Sequence, residues 1–253
     1  LHTAYRRQRQ MCIRDRHCTG TKEGCAEGDC GACTVVVGEL RGDHLELNTV
    51  NSCIQFLPTL DGKALFTVED LKQSDGCLHP VQQAMVECHG SQCGFCTPGF
   101  VMSLWNLYLH NDDGNTAPST RQVDDALSGN LCRCTGYRPI IEAAHRMGEL
   151  PTVHFDRTQV ADALRELQRQ QPLSISYAGQ TFHAPRTIEQ LAALRAELPK
   201  ARILAGSTDV GLWVTKQMHD LGDIIYLGQV EALKSITEET VSYTHLTLPT
   251  ICS

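Results

Sequence analysis

Two short cysteine motifs in the middle of the chain guide the interpretation of the sequence: SQCGFCTPG at residues 91–99 and CRCTGYRP at residues 132–139. Each motif presents two cysteines on a turn, and an apolar stretch with helical spacing follows. Pro98 and Pro139 stand where a proline is tolerated in the first turn of a helix. Four thiolates would therefore converge between two helix N-termini, whose N–H groups favour an anionic centre such as an iron–sulfur cluster. The candidate ligands are Cys93, Cys96, Cys132 and Cys134.

A second cysteine-rich loop, GCAEGDCGAC at residues 24–33, precedes the first predicted strand. The spacing Cys25-x4-Cys30-x2-Cys33 is typical of plant-type [2Fe-2S] sites. Its glycines supply backbone conformations that a Cβ penalises and let N–H groups approach sulfur closely. Zinc is the alternative metal, but zinc sites usually pair two short Cys-x2–4-Cys knuckles. Spacing alone leaves the fourth ligand open among Cys53, Cys77 and Cys88.

Composition and charge exclude several classes of protein. The chain has 253 residues, which is enough for two or three domains, and a formal net charge of −7, which makes nucleic acid an unsuitable partner. No apolar run approaches the roughly 18 residues of a membrane span, and the basic N-terminus lacks the apolar region of a signal peptide. The 13 cysteines come in tight groups beside helical segments, which favours metal ligation in a reducing, cytoplasmic compartment.

The pattern of strands and helices predicts an α+β chain of several domains. Both ends resemble translated sequencing-adapter strings, so we assign no function to their cysteines, Cys12 and Cys252. The predicted segments are a non-native leader at 1–15, a small sheet domain at 16–73, a four-helix domain at 74–150, a linker at 151–176, a third domain at 177–240 and a non-native tail at 241–253.

The third domain contains one candidate ligand loop. A predicted buried strand at residues 202–205 runs into the sequence GSTDVG at residues 206–211. A strand followed by a Gly-Ser-Thr turn and a helix offers N–H groups and hydroxyls to a phosphate, although an ordinary β–α turn is the alternative. The chain has no Rossmann or Walker glycine motif, and no catalytic triad or carboxylate pair.

Several motifs together resemble the molybdenum hydroxylase family, and within it the xanthine dehydrogenase-like iron–sulfur/FAD subunits. The resemblance covers roughly residues 16–240. Its motifs are GCAEGDCGACTV at 24–35, NSC at 51–53, LHPVQ at 78–82, GSQCGFCTPG at 90–99 and GNLCRCTGYRP at 129–139.

The resemblance implies a fold and a set of site residues. It implies a plant-type ferredoxin (β-grasp) domain lacking its leading hairpin and helix, a four-helix [2Fe-2S] domain and the start of an α+β FAD-binding domain. It selects Cys53 as the fourth ligand of the first cluster. The loop implied to hold the FAD pyrophosphate consists of Ile203, Leu204, Ala205, Gly206, Ser207, Thr208, Asp209 and Val210.

The resemblance also implies an activity in which this chain has no catalytic residue of its own. A molybdopterin-binding large subunit would hydroxylate a purine, and electrons would pass through two [2Fe-2S] clusters to FAD and then NAD within a hetero-oligomer. One alternative is the same module in an aldehyde or other N-heterocycle hydroxylase. Another is a zinc-stabilised interaction protein without redox function.

Overall fold

The computed structural model of the protein describes residues 18–73 and 75–235. The predicted leader at 1–15 and tail at 241–253, with their cysteines, lie outside the described residues. Within the described parts, no helix is long and apolar enough to cross a bilayer.

A three-stranded antiparallel sheet follows the first cysteine loop. Strands β1 (Thr34–Arg41) and β2 (His44–Asn51) form a hairpin, and β3 (Ala64–Phe66) pairs with the other edge of β1. Pairing in the hairpin runs without interruption from the turn to the cysteine loop. The turn is at Gly42, whose φ of 59° is readily adopted by glycine.

Four helices follow, as the sequence predicted, in the order α1 (Pro80–Glu87), α2 (Thr97–His110), α3 (Thr120–Leu127) and α4 (Arg138–Arg146). Helix α2 has Cys96 at its N-cap position and Pro98 in its first turn, where a proline is tolerated. A capping box begins α3, where the Ser119 hydroxyl accepts a hydrogen bond from the backbone N–H of Gln122.

Helix α2 is central to the largest hydrophobic core. Most of its side chains are buried, including Phe100, Met102 and Leu104. The same core contains Val36 of β1 and Leu47 of β2. The sheet and the helices, which the sequence divided at residue 73, therefore share one hydrophobic core.

The segment predicted as a linker is partly helical. Helix α5 (Arg157–Leu167) buries Ala161 and Leu164 and packs on β1 and β2. The following strand, β4, begins at Leu173, inside the predicted linker. The last part of this segment is thus already part of the next sheet.

The second sheet mixes antiparallel and parallel pairing in the order β4-β5-β7-β6. Strands β4 and β5 form an antiparallel hairpin, whereas β7 lies parallel to β5 and β6. The prediction of a buried strand after residue 201 was only partly correct: Leu204 is buried but Ile203 is 39% exposed, because β6 is an edge strand. The elements are β4 (Leu173–Tyr177), β5 (Gln180–Ala184), α6 (Ile188–Glu197), β6 (Arg202–Leu204), α7 (Val210–Thr215) and β7 (Ile224–Tyr226).

A buried carboxylate attaches the segment before α5 to the helical part. The Asp113 side chain is only 5% exposed and accepts two hydrogen bonds from the Arg157 guanidinium, at 2.8 and 3.0 Å. It also contacts the His154 ring nitrogen at 3.2 Å. Burial acts to raise the pKa of this carboxyl, but the hydrogen bonds from Arg157 and His154 outweigh it and hold the pKa below its usual range.

We expect Asp113→Ala to lower the free energy of unfolding at neutral pH by about 2 kcal/mol, since it leaves a partly buried guanidinium without its carboxylate. Because the folded-state pKa of Asp113 is depressed, its contribution is present above the unfolded pKa of about 3.9 and is lost as pH falls through the folded pKa. The free energies of unfolding of wild type and variant, measured by urea titration, should therefore converge at acidic pH. The exposed Asp124→Ala serves as a control, and a pH-independent difference would contradict the assignment.

Candidate functional site

The β1–β2 hairpin brings the first cysteine group together. Thr34 pairs with Asn51 at the open end of the hairpin, so the residues just beyond this pair are neighbours. Cys33 immediately precedes β1, and Cys53 lies in a 3-10 helix, Ser52–Ile54, that follows β2. Both cysteines are buried.

Within this group the thiols meet in pairs. Cys33 and Cys53 share a hydrogen bond, which lowers the pKa of Cys33 to about 6 and raises that of Cys53. Cys25 and Cys30 are also hydrogen-bonded to each other.

Backbone N–H groups point at the first sulfur of the loop. The Cys25 sulfur accepts hydrogen bonds from the N–H groups of Asp29 and Cys30, each at 3.4 Å. Burial acts to raise the pKa of Cys25, yet these N–H groups hold it below its ordinary value. The loop is thus arranged to stabilise negative charge on sulfur.

The structure distinguishes among the three cysteines that spacing left open. Cys53 lies beside Cys33, whereas Cys77 is exposed and its pKa is raised by the neighbouring Asp75 carboxylate. Cys88 follows α1 and packs against the helical core. Only Cys53 of these three joins the first cysteine group.

The second cysteine group lies at the N-termini of α2 and α4. The sulfurs of Cys93 and Cys134 are 3.4 Å apart, a non-bonded distance, and both residues are exposed. Cys96 and Cys132 are half-buried and hydrogen-bonded to each other. Burial, followed by this hydrogen bond, raises the pKa of Cys96 to about 12, and hydrogen bonds from Cys93 lower that of Cys134 to about 7.

The thiols in both groups therefore meet two by two. Among the residues that the structure describes, no three His, Cys, Asp or Glu side chains converge as ligands of one metal ion would. The observed pairs are Cys25 with Cys30, Cys33 with Cys53, Cys93 with Cys134, and Cys96 with Cys132.

The two cysteine groups are in direct backbone contact. The N–H of Leu131, next to Cys132, donates a 3.0 Å hydrogen bond to the carbonyl of Cys30. In the first turn of α2, Gly99 packs so closely on Gly31 that a Cβ at Gly99 would overlap the Gly31 carbonyl oxygen. Glycine is required at this crossing by the close approach of the two backbones.

The predicted flavin loop connects β6 to α7. Ala205, Gly206, Thr208 and Asp209 are exposed, while Ser207 is buried. A Cβ at Gly206 would meet no atom within 4 Å. A side chain at residue 206 would therefore project into open space.

Helix α7 packs on the turn that carries Cys53. Leu212 contacts the small core formed by Cys33, Cys53 and Ile54. At Gly211 the helix approaches so closely that a Cβ would lie 2.7 Å from the Ile54 carbonyl oxygen. An ion pair of 3.1 Å between Lys216 and Glu27 lies across the same contact. The helix that follows the candidate flavin loop thus packs directly on the first cysteine group.

Sequence reasoning missed the residues that join these parts. Asn130, beside the second cysteine group, is buried and hydrogen-bonded to the first loop. Gly99 and Gly211 are each required by a close contact with a distant segment. No local periodicity indicates such long-range contacts, although the position of Asn130 within a cysteine motif is a signal that could have been examined.

Two regions of the chain match known domain families. Residues 67–145 match the [2Fe-2S] binding domain, and residues 175–248 match the FAD binding domain in molybdopterin dehydrogenase. These matches include the second cysteine group and the candidate flavin loop. They define the class of protein as an iron–sulfur flavoprotein.

Similar proteins include oxidases and dehydrogenases. Aldehyde oxidase 4 from Cavia porcellus is 35% identical over 244 residues, covering 78% of this chain and 18% of that protein. Xanthine dehydrogenase 1 from Arabidopsis thaliana is 31% identical over 281 residues, covering 88% and 20%. Xanthine dehydrogenase from Blastobotrys adeninivorans is 54% identical over 129 residues, covering 50% and 9%.

Among solved structures, quinoline 2-oxidoreductase from Pseudomonas putida 86 has a TM-score of 0.46 and 32% identity, over 62% of this chain and 82% of that one. The chain spans about a fifth or less of the length of the curated relatives that it matches. It belongs to the molybdenum hydroxylase family, as the iron–sulfur and FAD region of enzymes of the xanthine dehydrogenase and aldehyde oxidase type.

The contact at Gly99 predicts the effect of a single methyl group. Gly99→Ala should lower the free energy of unfolding by about 2 kcal/mol, because the new Cβ overlaps the Gly31 carbonyl and overpacking of this kind costs about 1–3 kcal/mol. Urea titration under reducing conditions provides the measurement. Gly129→Ala is the matched control, since its Cβ meets nothing within 4 Å. Equal stability of the two variants would contradict the prediction.

Proposed function

We propose that this chain is the electron-transfer part of a xanthine dehydrogenase-like molybdenum hydroxylase. Electrons from a molybdopterin-binding partner would pass through two [2Fe-2S] clusters to FAD and NAD during purine hydroxylation. The clusters supply one-electron carriers between cofactors that react by two electrons. The single observation that carries this proposal is the contact of the first cysteine group with both the second group and helix α7, which directly follows the flavin loop.

The paired thiols support two-iron clusters. In a [2Fe-2S] cluster held by four cysteines, each iron takes two thiolates, and the thiols here meet two by two. The N–H groups directed at Cys25 would stabilise an anionic cluster there. The proposed ligands are Cys25, Cys30, Cys33 and Cys53 for the first cluster, and Cys93, Cys96, Cys132 and Cys134 for the second. These loops support a plant-type ferredoxin domain followed by a four-helix cluster domain.

The surface around the second cysteine group suits a protein partner. Cys93 and Cys134 are exposed, and so are the large apolar side chains of Phe95, Leu131 and Tyr137. Exposed apolar side chains grouped around a site favour a protein–protein contact. We propose that the molybdopterin-binding subunit docks here, in a cytoplasmic hetero-oligomer, and delivers electrons to the second cluster first.

The burial of the first cysteine group supports its place after the second group in the order of electron transfer. Cys33 and Cys53 are buried in a small core against α7, whereas Cys93 and Cys134 of the second group are exposed. The loop from Ile203 to Val210 would hold the FAD pyrophosphate, with Gly206 leaving room for it. These residues bind and orient FAD; none of them performs the substrate chemistry.

The same geometry serves a second candidate function. The similarity to aldehyde oxidase 4 from Cavia porcellus, at 35% identity, favours an aldehyde as the substrate of the complete enzyme. The residues that distinguish these substrates would lie on the molybdopterin-binding partner.

The cluster assignment is tested by metal analysis and low-temperature EPR of the anaerobically purified chain. We expect about four irons per chain and two distinct reduced signals in the wild type. Cys53→Ala should remove one signal and about half the iron, whereas Cys88→Ala should keep both. A colourless protein containing zinc would refute the electron-transfer function.

The assignment of the loop from Ile203 to Val210 to FAD is tested by a substitution at Gly206. Gly206→Val fills the space in front of the loop and should raise the Kd for FAD at least about tenfold, or ~1.4 kcal/mol, without loss of fold. Titration followed by flavin fluorescence measures the affinity. Ala192→Val, on the exposed surface of α6, is the control. Unchanged affinity in Gly206→Val would remove this loop from the FAD site.

A further inference from the structure

One buried amide side chain joins the two cysteine groups. Asn130 is 2% exposed, and its Nδ2 donates hydrogen bonds to the Gly31 carbonyl at 3.1 Å and to Thr34 Oγ1 at 3.3 Å. Its Oδ1 accepts a 2.7 Å hydrogen bond from the Ser103 hydroxyl. Three segments thus meet at one side chain: the first cysteine loop, the start of β1 and helix α2.

The pattern of donors and acceptors requires an amide. The Thr34 hydroxyl already donates to the Gly31 carbonyl at 2.7 Å, so its remaining lone pair is available to the Asn130 amide. Two acceptors therefore face Nδ2 and one donor faces Oδ1. An aspartate would present only acceptors when ionised, and an apolar side chain would leave the buried partners without hydrogen bonds.

The location of this side chain connects it to both sets of proposed ligands. Asn130 is two residues before Cys132, and Gly31 lies between Cys30 and Cys33. The backbone here is also hydrogen-bonded: the N–H of Asn130 donates to the carbonyl of Leu127, and the N–H of Leu131 donates to the carbonyl of Cys30. A displacement of the Asn130 side chain would therefore move one ligand loop relative to the other.

We propose that Asn130 is a positioning residue that sets the separation and mutual orientation of the two clusters. The inference rests on the proposed function, because it requires both clusters to be present. Its role differs from that of a ligand: the clusters assemble on the cysteines, and the amide determines how the two cysteine groups lie relative to each other.

The experiment compares magnetic coupling between the reduced clusters. Two paramagnetic centres at short distance split each other's EPR lines, and the splitting depends on their separation and orientation. The fully reduced chain should show this splitting in the wild type. Asn130→Asp keeps the side-chain shape and the acceptor for Ser103, but it places a carboxylate oxygen against the Gly31 carbonyl. We expect both clusters to be retained by iron and sulfide analysis and the wild-type splitting to be lost.

Two further variants separate positioning from general stability. Ser103→Ala removes only the hydrogen bond to Oδ1 and should give a smaller change in the splitting. Asn111→Asp is the matched control, because Asn111 is also buried and hydrogen-bonded, at the opposite end of α2. It should lower stability but leave the splitting as in the wild type.

The outcomes distinguish this inference from the cluster assignment. Wild-type splitting in both Asn130→Asp and Ser103→Ala, with two clusters present, would overturn the inference alone. An equal loss of splitting in Asn111→Asp would also overturn it, since destabilisation would then suffice. If Asn130→Asp does not retain both clusters, Ser103→Ala becomes the deciding variant. A splitting in Ser103→Ala equal to that of the wild type would then overturn the inference. A wild-type chain without two reduced signals would refute the cluster assignment and this inference with it.

Discussion

The arrangement of the whole site depends on the close approach of the first turn of α2 to the first cysteine loop. Gly99 packs against the carbonyl of Gly31, and this contact is possible only because Gly99 carries no Cβ. From it follow the hydrogen bond between Leu131 and Cys30 and the position of Asn130 between the two loops. The absence of a side chain at Gly99 thus allows the two cysteine groups to be neighbours.

A shared core gives this contact its rigidity. Val36 and Leu47 of the sheet pack in the same core as helix α2, so the two cysteine-bearing regions cannot move independently without exposing apolar surface. The third region joins at a second close glycine contact, where Gly211 meets the turn after Cys53. Both contacts place a glycine of one region against the backbone of another, and both lie beside cysteines.

Much of this architecture was predictable from local sequence. The four helices follow from proline positions and caps such as Ser119, and the first hairpin follows from strand propensity around Gly42. What local sequence could not provide is the set of contacts between distant segments. Asp113 lies in a turn of polar sequence, and its burial depends on the hydrogen bonds from Arg157, which is 44 positions further along the chain. The edge position of β6, which exposes Ile203, likewise depends on strand order and not on the strand's own sequence.

The hydrogen bond between Asn130 and Gly31 also bears on the order in which the protein assembles. It closes a separation of 99 residues, whereas Cys93 and Cys134 are only 41 residues apart. The entropy lost on closing a loop grows with its length, so each cysteine group can gather within its own segment before the two segments dock. The amide contact between the two segments is therefore expected to form later than the contacts within each segment.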